Sequence, residues 1–170
     1  MRVLENCEPK QVFYYFEEIC KIPHGSRNTK QISDYLVAFA KEHGFDYVQD
    51  EMNNVIIYKP ATLGYENAPT VILQGHMDMV CEKRPDVQHD FEKDGLNLSV
   101  KDGYVTANGT TLGGDDGIAV AYALALLDST DLPHPALEVL ITVDEEIGLL
   151  GAVGLDCSVL KGKRMINMDS

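Results

Sequence analysis

Four short polar clusters carry residue types that can bind a metal ion or move a proton: His76 with Asp78, Asp115 with Asp116, Glu145 with Glu146, and Asp169. One imidazole and several carboxylates form a nitrogen-and-oxygen set suited to zinc or a similar divalent ion. Packed together without a cation, the carboxylates would repel one another. A pair of ions removes that cost, and a shared carboxylate can bridge two ions about 3.5–4 Å apart, as in two-metal hydrolases. Each cluster alone has an ordinary structural account. Asp-Asp at a helix start is a common cap with a favourable dipole interaction. Glu-Glu after a strand is commonly a solvated loop. What sets the clusters apart is their shared position relative to the elements around them.

Those elements follow from hydrophobic spacing. Val12, Phe13, Phe16, Ile19 and Cys20 recur on one helical face, with Pro9 at the first helical position, and Pro23-His24-Gly25-Ser26 ends that helix. A second helix places Ile32, Tyr35, Leu36 and Phe39 inward, with Asn28 or Thr29 as its cap and Gly44 as its stop. Strands are expected over Tyr47–Glu51 and Asn54–Lys59, with a turn at Asn53, and over the apolar runs Thr70–Gln74, Leu137–Thr142 and Met165–Met168. Leu98–Ala107 reads as a hairpin turning at Asp102-Gly103. Gly113-Gly114 precedes a long apolar helix over Gly117–Leu127, and a short helix is expected over Leu149–Val153. Helices alternate with buried strands, so the fold class is α/β, a mostly parallel or mixed sheet flanked by helices. His76, Glu145, Glu146 and Asp169 then fall at or just after strand ends, and Asp115 opens a helix. Ligands of open α/β sheets bind outside the carboxyl ends of the strands, so groups spread over about 90 residues can meet there.

Composition narrows the partners. The 170 residues are 45% hydrophobic and 24% charged, enough for one ordinary core. A net charge of −13 argues against nucleic acid and anionic membranes, which need a basic face. No apolar run approaches the ~18 residues of a membrane span. The first ten residues lack the basic start and apolar stretch of a secretion signal, which favours the cytoplasm. Cys7, Cys20, Cys81 and Cys157 form no CxxC pair and suit reduced thiols, so a thiolate zinc site is not expected.

The stretches Gln74–Val80, Thr111–Gly117, Val143–Gly148 and Asn167–Ser170 together resemble the co-catalytic zinc peptidases related to aminoacylases and glutamate carboxypeptidases. Ile22-Pro23-His24, Lys59–Thr62, His89-Asp90-Phe91 and Asn108–Leu112 look like the bacterial aminoacyl-histidine (Xaa-His) dipeptidase branch. The resemblance covers nearly the whole chain, in order. It implies hydrolysis of dipeptides by a water activated at a two-metal site. Zinc is the default metal, with cobalt or manganese as alternatives. His76 and Asp169 would be terminal ligands of one ion, Asp115 the bridge, and Glu146 a terminal ligand of the second. Glu145 would be the general base, and Asp78 would hold the His76 ring and fix its tautomer. Many relatives carry a Lys two residues after the bridging Asp; Gly117 stands there, as in the Xaa-His branch. Asp116 is the competing candidate for the bridge.

The resemblance also implies a lid and dimerisation domain, a C-terminal catalytic segment with a final His ligand, and dimers of the full-length protein. Residues 1–170 then correspond to the N-terminal part of the catalytic domain. His24, His43, His89 and His134 do not fit the late histidine motif. The expectation is one metal at moderate affinity, a weak second site, and little peptidase activity from this stretch alone. Rival readings are an aminoacylase or tripeptidase with the same metal chemistry, or a non-catalytic metal-binding fragment. A magnesium-dependent phosphoryl-transfer enzyme fits less well. His76 is a poor ligand for a hard cation, and no Gly-rich phosphate loop precedes a helix.

Overall fold

The computed structural model describes residues 2–169. In chain order it contains α1 (Lys10–Cys20), α2 (Lys30–Glu42), β1 (Asp46–Gln49), β2 (Val55–Lys59), β3 (Val71–His76), β4 (Leu98–Lys101) and β5 (Tyr104–Ala107). These are followed by α3 (Gly114–Asp128), β6 (Leu137–Thr142), α4 (Leu150–Gly154), a 3-10 turn (Cys157–Val159) and β7 (Arg164–Asn167). The main sheet runs β1-β2-β6-β3-β7, and β4 and β5 form a separate hairpin. β3 lies parallel to both β6 and β7, while β1–β2 and β2–β6 are antiparallel. The sheet is therefore mixed, with a parallel part made of three strands.

That parallel part positions the functional groups. Register pairs Gly75 with Ile141 and His76 with Thr142, and Gln74 with Asn167. The carboxyl ends of β6, β3 and β7 thus open side by side on one edge. All six residues of β6 are buried, as its largely apolar run requires of a strand covered on both faces. Glu138 is the exception in type: its carboxylate accepts the backbone N–H groups of Lys161 and Gly162 at 2.9–3.0 Å, fixing the approach to β7.

The main core lies on one face, where α1, α2 and α3 pack with Ile57, Leu73, Val139 and Ile141. α3 is apolar nearly all round, with Val120, Ala121, Ala123, Leu124 and Leu127 buried, because it sits between α1 and the sheet. A smaller cluster of Ile56, Ile72 and Leu140 fills the other face.

Several boundaries differ from the sequence expectation. Pro9 is the residue before α1 rather than its first helical residue. Thr29 precedes α2 but makes no side-chain capping bond, and Asn28 instead points its amide at the carbonyls of Phe91 and Glu92. β3 runs past Gln74 to His76, since its pairing with β6 continues through residues that end the apolar run. The hairpin turns at Asp102 and Gly103, both with positive φ (52° and 83°), the backbone a two-residue type I′ turn demands.

Candidate metal centre

His76 ends β3 and is 1% exposed. Its Nδ1 lies 3.0 Å from the backbone oxygen of Asp78 and 3.3 Å from the Asp78 carboxylate. Its Nε2 faces the other way, 3.2 Å from Asp115 and 3.9 Å from Glu145. With a proton held on Nδ1 by Asp78, loss of the Nε2 proton would direct that lone pair at the acidic cluster, the tautomer a metal ligand needs. Burial alone would lower the His76 pKa. Asp78, Asp116 and Asp115 outweigh it and raise the value to about 9.

Asp78 is also fully buried, and its carboxylate is crowded with donors. It accepts the Ser26 hydroxyl at 2.7 Å, the Glu145 N–H at 3.0 Å and the Glu146 N–H at 3.4 Å. Burial acts to raise its pKa, but the His76 ring, the Glu145 N–H and Ser26 hold it below the usual carboxylate range. Asp78 therefore stays ionised and ties three segments together.

The Asp115–Asp116 pair opens α3 after Gly113, which adopts a left-handed φ of 66°. The two carboxylates face opposite ways. The Asp115 side chain is 61% exposed and reaches His76. Asp116 is buried, and its Oδ2 accepts the backbone N–H of His76 at 3.1 Å. Burial pushes the Asp116 pKa up to about 6, against the lowering effect of His76 and with added repulsion from Asp169 and Asp115. Gly75 makes this close approach possible, since a Cβ there would stand 2.6 Å from Asp116 Oδ2. Of the two candidates, the structure brings Asp115 to the cluster and turns Asp116 inward.

Glu145 and Glu146 lie on the loop after β6, and Asp169 lies two residues past β7. His76, Asp115 and Glu146 offer ligand atoms all within 4.8 Å of one another, and so do His76, Glu145 and Asp169. Burial raises the Glu146 pKa first, and the negative charge of Asp115 adds to it. One imidazole nitrogen, four converging carboxylates and mutual carboxylate repulsion make a donor set that fits a divalent cation.

The other histidines stand elsewhere. His24 is buried with Nδ1 2.6 Å from the Ile22 oxygen. His43 follows α2, with Nε2 3.0 Å from Asp128. His89 meets Phe91 edge-to-face, and His134 lies in the loop before β6. Among the described residues, the metal-capable groups draw on His76 as their sole imidazole. Sequence reasoning passed over Ser26, which looked like part of a helix-ending turn, and Asp144, whose Oδ1 accepts the Arg27 N–H at 2.6 Å. No spacing rule marks either, because each acts across more than fifty residues of chain.

The sequence pattern of Peptidase family M20/M25/M40 matches residues 72–165, more than half of the chain. The cytosol non-specific dipeptidase of Escherichia coli K12 is 44% identical over 170 residues, covering 100% of this chain and 35% of its own length. The crystal structure of an aminoacylhistidine dipeptidase from Vibrio alginolyticus superposes with a TM-score of 0.96 at 44% identity, over 98% of this chain and 34% of that one. A tripeptidase structure from Staphylococcus aureus gives a TM-score of 0.78 at 26% identity, over 94% of this chain and 43% of that one. The chain thus spans about a third of the length of the two more similar relatives.

Proposed function

Since the chain belongs to Peptidase family M20/M25/M40, we propose that it serves the metal-dependent hydrolysis of dipeptides, with Xaa-His dipeptides as the preferred substrates. The observation that carries this reading is the convergence of His76, Asp115, Glu145, Glu146 and Asp169 at the carboxyl ends of three adjacent parallel strands. The names of the Escherichia and Vibrio relatives support a dipeptidase, and the latter supports histidine in the second position.

His76 and Asp169 would hold one ion, Glu146 the other, and Asp115 both. Zinc suits this set best, and cobalt or manganese can replace it. When bound, such a pair supplies Lewis acidity, polarising the scissile carbonyl and acidifying water to a pKa near ~7. Glu145 takes the proton of the attacking water and passes it to the leaving amine. Its neighbour Glu146 is free for the metal because adjacent side chains diverge. Asp78 keeps the Nδ1 proton of His76 in place and, through the Glu145 and Glu146 N–H groups, sets where that loop stands. A second ion on Asp115 and Glu146 needs a further donor, and among the described residues no second imidazole is in reach. The 170-residue chain by itself is therefore expected to bind one ion well and to turn over dipeptides poorly. The name of the Escherichia relative favours a cytosolic location, and a homodimer is proposed for the longer protein.

The test is hydrolysis, by the full-length protein, of β-alanyl-histidine beside an N-acetyl amino acid and a tripeptide, with and without a chelator. Chelator-sensitive cleavage of the dipeptide supports the proposal. Preference for the tripeptide would favour the second reading, a tripeptidase, which the similarity to the Staphylococcus enzyme keeps open.

A further inference from the structure

Asn54 is 1% exposed and stands immediately before β2, outside every cluster discussed so far. Its carboxamide reaches across the sheet to the loop that carries Glu145 and Glu146. The Asn54 Oδ1 accepts the N–H of Val143 at 3.0 Å. Its Nδ2 donates to the carbonyl of Gly151 at 3.0 Å and to Asp50 Oδ2 at 2.7 Å. Val143 opens that loop and Gly151 lies in the first turn of α4, which closes it, and the two also bond each other, Gly151 N–H to Val143 O at 3.0 Å. One buried amide therefore closes the neck of the loop from both sides. Gly151 is required for the closure, since a Cβ there would stand 2.3 Å from the Val143 oxygen and 2.5 Å from Asn54 Oδ1.

We propose that Asn54 is a positioning residue for the hydrolytic site: by clamping residues 143 and 151 it fixes where Glu145 and Glu146 stand, while Asp78 fixes their backbone from the opposite side. A side-chain amide suits the task because it donates and accepts at once, and both ends of the neck are satisfied by a single group. The loop needs such a clamp because it has little regular structure of its own: Asp144 and Leu149 both take left-handed backbone, with φ of 54° and 59°. A glutamate that must move a proton loses its efficiency when displaced by about an ångström. This inference rests on the hydrolytic reading above for its catalytic consequence.

The experiment compares, in the full-length protein, wild type with Asn54→Ala, Asn54→Asp and the control Ile57→Val, a fully buried core position on β2. The readouts are kcat and KM for β-alanyl-histidine, zinc affinity by chelator competition, melting temperature, and hydrogen exchange at the Glu145 and Glu146 amides. Asn54→Ala should lower kcat at least tenfold with KM changed less than about threefold, weaken zinc, and speed exchange at both amides. Asn54→Asp keeps the acceptor for Val143 and should fall between. Ile57→Val should lower the melting temperature without these effects. Loss of activity only in proportion to melting temperature, with amide exchange unchanged, overturns the proposal. If wild type neither binds zinc nor cleaves the dipeptide, the hydrolytic reading fails. Exchange at Glu145 and Glu146 then still decides whether Asn54 holds the loop.

Discussion

The carboxylate of Asp78 accepts the backbone N–H of Glu145 at 3.0 Å. The same carboxylate lies 3.3 Å from Nδ1 of His76. One buried group therefore couples the ring that would bind a metal to the segment that would move the proton. Asp78→Ala is expected to weaken zinc binding roughly 10–100-fold, the usual cost of losing a partner behind a ligating histidine. It should also loosen the Glu145 segment. Asp78→Asn keeps an acceptor for one N–H but loses the charge, so it should restore loop protection better than zinc affinity. Chelator competition and amide exchange on the two variants measure the two effects separately.

Glu145 and Glu146 should separate cleanly under substitution. Glu145→Gln is expected to cut kcat by roughly 10²–10⁴ while leaving bound metal unchanged, because a general base is lost and a ligand is not. Glu146→Gln should reduce metal occupancy. Metal analysis of the purified full-length variants beside their kcat values checks the division. Equal metal loss in both would contradict it.

Zinc binding should depend on pH through His76. Its pKa in the folded chain is raised to about 9, so at pH 7 to 8 the ring carries a proton that a metal must displace. Affinity is expected to rise with pH up to about 9 and to fall on acidification, with about one proton released per ion in that window. Calorimetric titrations in buffers of different ionisation enthalpy count the protons. A value near zero at pH 7.5 would contradict the assignment of His76 as a ligand.

Asp116 should act on stability more than on metal. Asp116→Ala leaves the buried His76 N–H without an acceptor, a loss of about 1–3 kcal/mol. Asp116→Asn keeps an acceptor oxygen and should recover most of it. Denaturant unfolding of the two variants measures the difference.

The sequence showed the parts of this fold that repeat a simple pattern. β6 was readable because a strand buried on both faces keeps a largely apolar run despite Glu138, and α3 because its apolar surface continues through four turns. β3 was cut short at Gln74 because Gly75 and His76 carry no apolar signal, although their backbone pairing with β6 continues. Glu17 is buried within α1 against its type, since it accepts the N–H groups of Val3 and Leu4. The choice between Asp115 and Asp116 could not be made from adjacency, because it depends on which carboxylate faces His76 N–H and which faces its ring. Asn54 left no trace at all: a lone amide beside a turn looks like any turn residue until the loop it closes is in place.

The most direct measurement is a zinc titration of this chain, wild type beside Asp115→Ala. The account expects zinc bound near one equivalent by the wild type and lost in the variant, because Asp115, 3.2 Å from His76 Nε2, would share that ion with His76. Equal binding by both proteins, or none by the wild type, would contradict a metal centre built on these strand ends.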